Sequence, residues 1–384
     1  MKYHSSFKQL IGLFAVIFVL SVAFCSCNTK KTTEELFEEQ KSGVCMVLNS
    51  YYYEIELPNG SKMYCSGIDE DGDLADFTVE RDEIQKHKQM AFGTAFFIDD
   101  KGTLMTNRHV VSPNVTEEVI QKATSKLFEQ LSSLMQYAQQ DYAEKFASLE
   151  ADKKNCYTID FWGNYVTDYE QLARIEQAEE ELASNYREAQ QYEEAFSSID
   201  RRDIKVRPVN EIGLAYNDTY VTSIDDFLSK NPCVVVKLSD KEDVDLATIQ
   251  LKNKKTPEGL YVFKIKGRDV IEKDWTEYIA SIFQQEKKEG LQVNQDLHMI
   301  GFNAGPVLGN TKQGIQAQLT IGKITQNPDG SRILYSIPTL QGSSGSPVID
   351  DEGYVRAVNF AKLGTTENFN FGIPDNQIVK FLAN

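Results

Sequence analysis

The sequence predicts a mainly β, antiparallel protein into which a long α-helical hairpin is inserted. Three observations carry this reading. Short apolar runs bounded by Gly, Pro, Asn and Asp recur from Val44 to Val111 and again from Ile204 to Ile373. Between them, over residues 115–202, apolar residues step every three or four positions instead. Near the end, Gln341-Gly342-Ser343-Ser344-Gly345-Ser346-Pro347-Val348 makes a glycine- and serine-rich bend just before the apolar Val348-Ile349.

The chain opens on a targeting segment, residues 1–26. Lys2 and Lys8 give a positive start, and Leu10 to Phe24 is an apolar run of 15 residues, short for a membrane span. Ser26-Cys27 follows, and the pattern resembles a bacterial lipoprotein signal, which is cut before the cysteine. The resemblance implies a diacylated Cys27, a membrane anchor, and a mature chain outside the cytoplasm in the cell envelope. Phe24 departs from the aliphatic residue usual three positions upstream, so plain secretion is the alternative. Residues 27–42 are polar and read as a tether.

Val44 to Glu56 is strand-like, and Pro58-Asn59-Gly60-Ser61 turns it into Lys62 to Cys65. Asp69, Asp71, Asp73 and Glu80 stand at relative positions 1, 3, 5 and 12, as calcium ligands would. Leu74 occupies the place that needs glycine and no helix enters, so an acidic turn is expected and no metal. Phe96 to Ile98 is a strand, Asp99 to Gly102 a turn, and Leu104 to Val111 delivers His109.

Val115, Ile120, Leu127, Leu131, Leu134, Tyr142 and Leu149 mark one helix over about 115–152; Leu172, Ile175, Leu182, Tyr186 and Phe196 mark another over about 167–198. The first would be ~57 Å long at 1.5 Å per residue. Such seams pack on each other as an antiparallel, coiled-coil-like hairpin. The hairpin leaves within about six residues of His109, so its root should lie beside any site there. The intervening Tyr157, Phe161, Trp162 and Tyr165 would cap its tip or meet a protein partner. Its seam can be satisfied internally, so the β structure should not need it for a core.

Strand character returns at Ile204 to Val206, Ile212 to Asn217, Tyr220 to Thr222, Cys233 to Leu238 and Tyr261 to Ile265. Trp275 to Lys287 reads as an amphipathic helix. Leu297 to Phe302, Ala317 to Thr325 and Ile333 to Ile337 then lead to the serine bend.

A serine attacks only if a base takes its proton and N–H groups receive the oxyanion that forms. Gly342, two before Ser344, can take the positive φ that turns an N–H inward. Beyond the leader only His87, His109 and His298 are available as bases. His87 lies in a charged Lys-His-Lys run, and His298 begins an apolar strand. Asp245 follows the buried Cys233 to Leu238 strand, with Asp243 as its rival. The order His109, Asp245, Ser344 excludes the α/β-hydrolase arrangement, whose Gly-x-Ser-x-Gly also fails at Ser346.

At these residues the chain resembles the trypsin-like serine peptidases, most closely the bacterial HtrA/Deg branch. The matching pieces are Gly93-Thr94-Ala95-Phe96-Phe97-Ile98, Thr106-Asn107-Arg108-His109-Val110-Val111, Asp245-Leu246-Ala247 and Gly342-Ser343-Ser344-Gly345-Ser346-Pro347, with weaker echoes at Met299-Ile300-Gly301-Phe302 and Asn370-Phe371-Gly372-Ile373-Pro374. The resemblance implies a chymotrypsin-like antiparallel double β-barrel over 43–114 and 203–384, with residues 115–202 inserted. It implies His109 as base, Asp245 as its orienting acid, Ser344 as nucleophile, and the N–H groups of Gly342 and Ser344 as oxyanion hole. The Leu246-Ala247 that follows favours Asp245 over Asp243.

Pro338 stands where a Lys/Arg-specific member carries a carboxylate, and Asn359, Phe360, Phe369 and Phe371 would form the opposite wall. Cleavage of proteins or peptides after uncharged, mainly aliphatic residues is expected. A scaffold that has lost catalysis and binds partners through the helical arm is the rival. No PDZ-like domain, such as many HtrA proteins carry, is expected after the barrel residues that run to Asn384.

Composition bounds the rest. With 40 Lys and Arg against 57 Asp and Glu, the formal charge of −17 argues against nucleic acid as a partner. Nothing points to a cofactor. Cys45, Cys65, Cys156 and Cys233 show no zinc spacing, and their spacing is equally compatible with disulfide pairs and with buried free thiols.

Overall fold

The computed structural model describes residues 31–113, 115–241, 243–268, 291–362 and 370–383. It opens with α1 (Thr33–Gln40), started by a capping box in which Thr32 and Glu35 exchange bonds. This corrects the tether expected over 27–42: Leu36 and Gln40 are fully buried, and Gln40 Nε2 donates to Gly353 O at 3.0 Å. Leu36 supplies the apolar contact that a solvated linker lacks.

Strand β1 (Val44–Glu56) follows, then β2 (Lys62–Cys65), the short pair β3 (Gly67–Ile68) and β4 (Leu74–Ala75), helix α2 (Arg81–Ile84), β5 (Gln89–Phe97), β6 (Thr103–Thr106) and the one-turn α3 (Arg108–Val111). The acidic turn before β4 is closed by Asp69, whose Oδ1 accepts the N–H groups of Asp71 and Asp73. Among the described residues no group of three His, Cys, Asp or Glu could hold a metal ion.

The arm comes next: α4 (Glu117–Asn155), the hairpin β7 (Tyr157–Ile159) and β8 (Tyr165–Thr167), and α5 (Tyr169–Ser197). Phe161, Trp162 and Tyr165 are almost wholly exposed at its tip. Its root is not independent of the β structure, contrary to the sequence expectation. Ile120 and Phe128 of α4 share one apolar cluster with Tyr53, Ile55, Met63, Cys65 and Val206, and Phe196 packs against it. Tyr53 OH donates to Val115 O at 2.8 Å, and Gln121 Nε2 to Ile204 O at 2.7 Å. The seam is satisfied internally only beyond the first turns.

The chain returns through β9 (Lys205–Tyr216), α6 (Ile224–Lys230), β10 (Pro232–Leu238) and β11 (Ala247–Leu251). Residues 220–222, expected as a strand, are loop. In order β1-β5-β6-β11-β10-β9, with β9 pairing back onto β1, these strands close a barrel filled by Cys45, Val47, Phe97, Leu104, Leu214 and Ile249. Tyr261 to Ile265, also expected as a strand, crosses between the barrels with a single bridge from Ile265 to Val355. The helix expected over 275–287 lies outside the described residues.

The second half runs β12 (Asp296–Gly301), α7 (Pro306–Gly309), β13 (Asn310–Thr311), β14 (Gly314–Ile315), β15 (Gln318–Lys323), β16 (Ile333–Tyr335), β17 (Pro347–Ile349), β18 (Val355–Lys362), β19 (Asn370–Pro374) and α8 (Asp375–Ala383). Its sheet order is β15-β12-β17-β18-β19-β16. An Ile324–Tyr335 bridge, with Ser336 N–H on Lys323 O at 2.9 Å, ties its two edges together.

Leu297, Met299, Ile333, Tyr335 and Val348 fill this second barrel. Between the barrels lies a shared core of Leu36, Met46, Leu48, Phe96, Ile300, Phe302 and Val358. The fold is a chymotrypsin-like double β-barrel with a long helical insertion. All four described cysteines are buried free thiols.

Candidate active site

Register places the acid and the base. β11 pairs with β6 at Ala247 opposite Thr106, so the residues just outside each strand, Asp245 and the start of α3, meet at one barrel end. Asn107 Nδ2 donates to Asp245 O at 2.8 Å, and His109 N–H donates to Asp245 Oδ1 at 2.9 Å. The other carboxylate oxygen, Oδ2, holds His109 Nδ1 in a short hydrogen bond. The carboxylate is therefore bound at both oxygens by one residue, which fixes the imidazole's tilt and leaves Nε2 facing outward. Asp245 is 10% exposed in its side chain and His109 37%, a buried anchor under an accessible ring. Asp243 is exposed.

The serine bend is shaped by two left-handed glycines, Gly342 at φ 99° and Gly345 at φ 88°. A Cβ on Gly342 would lie 2.4 Å from Gly305 N, and one on Gly345 would lie 2.1 Å from Thr94 O, so only glycine fits either place. Ser343 N–H donates to Leu340 O, and Gly345 N–H to Asn359 O. Neither the Gly342 nor the Ser344 N–H has an acceptor among the described residues. Two donors left free on either side of Ser343 are what an oxyanion requires.

Ser344 and the His109 helix meet at Gly93. A Cβ there would touch Val110 at 2.6 Å and Ser344 O at 3.2 Å. No hydrogen bond joins Ser344 Oγ to His109 among the described residues, and catalytic bonds of this kind commonly tighten only with substrate bound.

A family model described as a trypsin-like peptidase domain matches residues 206–358, a segment that contains Asp245 and Ser344. The matched segment is less than half of the chain. Among solved structures it is similar to the serine endoprotease from Yersinia pestis, at 12% identity and a TM-score of 0.40. That match covers 92% of this chain and 66% of the other, so the chain spans slightly less than two thirds of that protein's length. No curated protein matches the chain.

The residues expected around the pocket divide. Phe360 lies edge-on to the His109 ring at 6.3 Å, Phe371 packs on Phe360 at 5.1 Å, and the Arg332 guanidinium covers Phe371 at 4.9 Å. Pro338 is exposed. Phe369 lies outside the described residues. Asn359 is a correction: its side chain turns inward, donating to Ser343 O at 3.0 Å and accepting from Tyr335 OH at 2.7 Å. It is buried and braces the serine bend.

Two contributors escaped sequence reading. Thr339 Oγ1 donates to Asn370 Oδ1 at 2.7 Å, pinning the loop at Pro338 to the start of β19. Thr94, inside a quoted motif but given no role, reaches the serine bend from the first barrel. Only their place next to motif residues could have flagged them. A cleft of about 770 Å³ lies away from Ser344, under the arm's root, lined by Arg108, Pro113, Val115, Gln121 and Arg201.

Proposed function

We propose that the protein is a serine endopeptidase acting through His109, Asp245 and Ser344. One observation carries the reading: Asp245 grips His109 at both its N–H and its Nδ1, while the Gly342 and Ser344 N–H groups stay free of protein acceptors. His109 Nε2 takes the Ser344 proton as Oγ attacks the scissile carbonyl, and returns it to the leaving amine. Asp245 stabilises the imidazolium so formed without being protonated itself. The acyl-enzyme is then hydrolysed by water activated through the same imidazole.

Labelling with a fluorophosphonate, combined with casein hydrolysis, tests this. Wild type should label at Ser344 and degrade casein; Ser344→Ala, His109→Ala and Asp245→Asn should each lose most hydrolysis. The Ser344/His109 double change should be little worse than either single one, because the pair acts as a unit. Full hydrolysis by Ser344→Ala overturns the assignment. A wild type that folds but neither labels nor cleaves supports the rival, a catalytically inert scaffold.

The same proposal places the protein in the bacterial cell envelope, held by a lipid on Cys27, a residue outside those described. The Leu10–Phe24 run and Ser26-Cys27 support it. Cys27→Ser should move the protein out of the membrane fraction; an unmodified mature N-terminus by mass spectrometry refutes the anchor.

A further inference from the structure

Thr94 joins the two barrels at the site and belongs to neither the acid–base pair nor the serine bend. It sits on β5 of the first barrel and is fully buried. Its N–H donates to Ser344 O at 2.8 Å. Its Oγ1 donates to Gly342 O at 2.9 Å and accepts the Phe302 N–H at 3.2 Å. Its own carbonyl takes the Thr106 hydroxyl at 2.7 Å. One residue thus holds both residues whose N–H groups are free, together with the end of β12.

The hydroxyl is the part that matters. Gly342 must be glycine, because a Cβ would strike Gly305 N and Phe302 O. Glycine, however, is also the residue whose flanking peptides turn over most readily. The Gly342 N–H makes no bond that would hold it, since its task leaves it open. The carbonyl of the same residue is the one handle on its conformation, and among the described residues Thr94 Oγ1 is the hydrogen-bond donor that takes it.

We propose that Thr94 is a positioning residue whose hydroxyl, through Gly342 O, keeps the Gly342 and Ser344 N–H groups aimed at the reacting carbonyl oxygen. This rests on the peptidase reading above. It also couples the serine bend in one barrel to the strand that leads to His109 in the other. The two halves of the site are then registered by a bond at their shared face, not only by packing.

Thr94→Val keeps the shape and removes the donor; Thr94→Ser keeps the donor and removes a methyl. With turnover expressed per fluorophosphonate-labelled site, Thr94→Val should lose roughly 10- to 100-fold in kcat with KM within about twofold, the scale expected when oxyanion donors are misaimed. Thr94→Ser should recover to within a few-fold of wild type. Binding of a peptide boronic acid, whose tetrahedral adduct occupies the same donors, should weaken by a factor similar to the loss in kcat. A side chain that merely packs would lower Tm and the labelled fraction but leave kcat per site and boronate affinity unchanged, and that result overturns the proposal.

If Thr94→Val does not fold, Thr94→Ala removes the same donor with room for relaxation and is judged by the same two numbers. An inactive wild type would instead defeat the peptidase reading, a different failure from an active wild type indifferent to the hydroxyl.

Discussion

Gly301 and Ser346 face each other so closely that a Cβ on residue 301 would lie 1.9 Å from Ser346 Oγ and 2.9 Å from its Cβ. Ser346 Oγ is itself buried with no hydrogen-bond partner among the described residues. Ser346 is thus accommodated by a glycine on the neighbouring β12. Gly301→Ala should destabilise the fold by about 1–3 kcal/mol through overpacking. Adding Ser346→Gly should restore most of that loss, and urea denaturation of the single and double variants measures the coupling. Additive losses would mean that the two residues are not the pair in conflict.

Substrate choice follows from Pro338 and the Phe360–Phe371 shelf. No carboxylate stands six residues before Ser344, and the ring next to His109 is apolar. Cleavage is expected after uncharged, mainly aliphatic residues. A peptide-library profile dominated by Lys or Arg before the cut contradicts this.

The arm divides into a root and a lever. Ser132 Oγ and Gln136 Nε2 both reach Glu193 Oε1 at 3.1 Å, so the two helices are already side by side there. Replacing residues 138–190 with a short Gly/Ser turn should leave a folded protein that still labels at Ser344 but cleaves protein substrates in altered proportions. Replacing 116–200 should lower Tm sharply, because Ile120, Phe128 and Phe196 leave the cluster around Tyr53 and Ile55. Equal stability of the two deletions would show that the root is dispensable.

The thiols give stability a pH dependence. Burial pushes the Cys233 thiol from an ordinary 9 up to about 12, and holds Cys45 well above its ordinary value. A raised folded-state value favours the neutral thiol, so this contribution is complete below about pH 9 and drains as pH rises through about 12. Tm measured from pH 8 to 11 should fall less steeply in Cys233→Ala than in wild type. Native protein at neutral pH should also resist alkylation at both cysteines until unfolded, and rapid native labelling of either would contradict their burial.

Much of this was readable in the sequence because its signals are local. The bend around Ser344 announces itself by glycines, which take positive φ without the cost of a Cβ, and the arm by a seam that repeats along its own length. Tertiary contacts were not legible in the same way. Leu36 and Gln40 lie in a segment polar enough to pass for a tether, yet two buried side chains suffice to dock it. Tyr261 to Ile265 has the composition of a strand but pairs only through the single Ile265–Val355 bridge. Asn359 lies next to the pocket in sequence terms, and only the neighbours Tyr335 and Ser343 decide which way its amide turns. Thr94 matters for a hydroxyl aimed across the barrel interface, and no periodicity records such an aim.

His109 and Asp245 are 136 residues apart in the chain, and the arm occupies most of that interval. A flexible connection of that length would have to be closed before the pair could form. The arm's two helices contact mainly each other, so they can zip locally and bring Val115 back beside Ile204, leaving only about a third of the interval to close by diffusion. Shortening a loop threefold saves about 1 kcal/mol of closure entropy. The insertion would then act as a splint during folding, and refolding followed by recovery of Ser344 labelling should slow when the mid-arm seam is weakened, for instance by Leu182→Ala. Unchanged refolding would mean that the barrel closes without waiting for its arm.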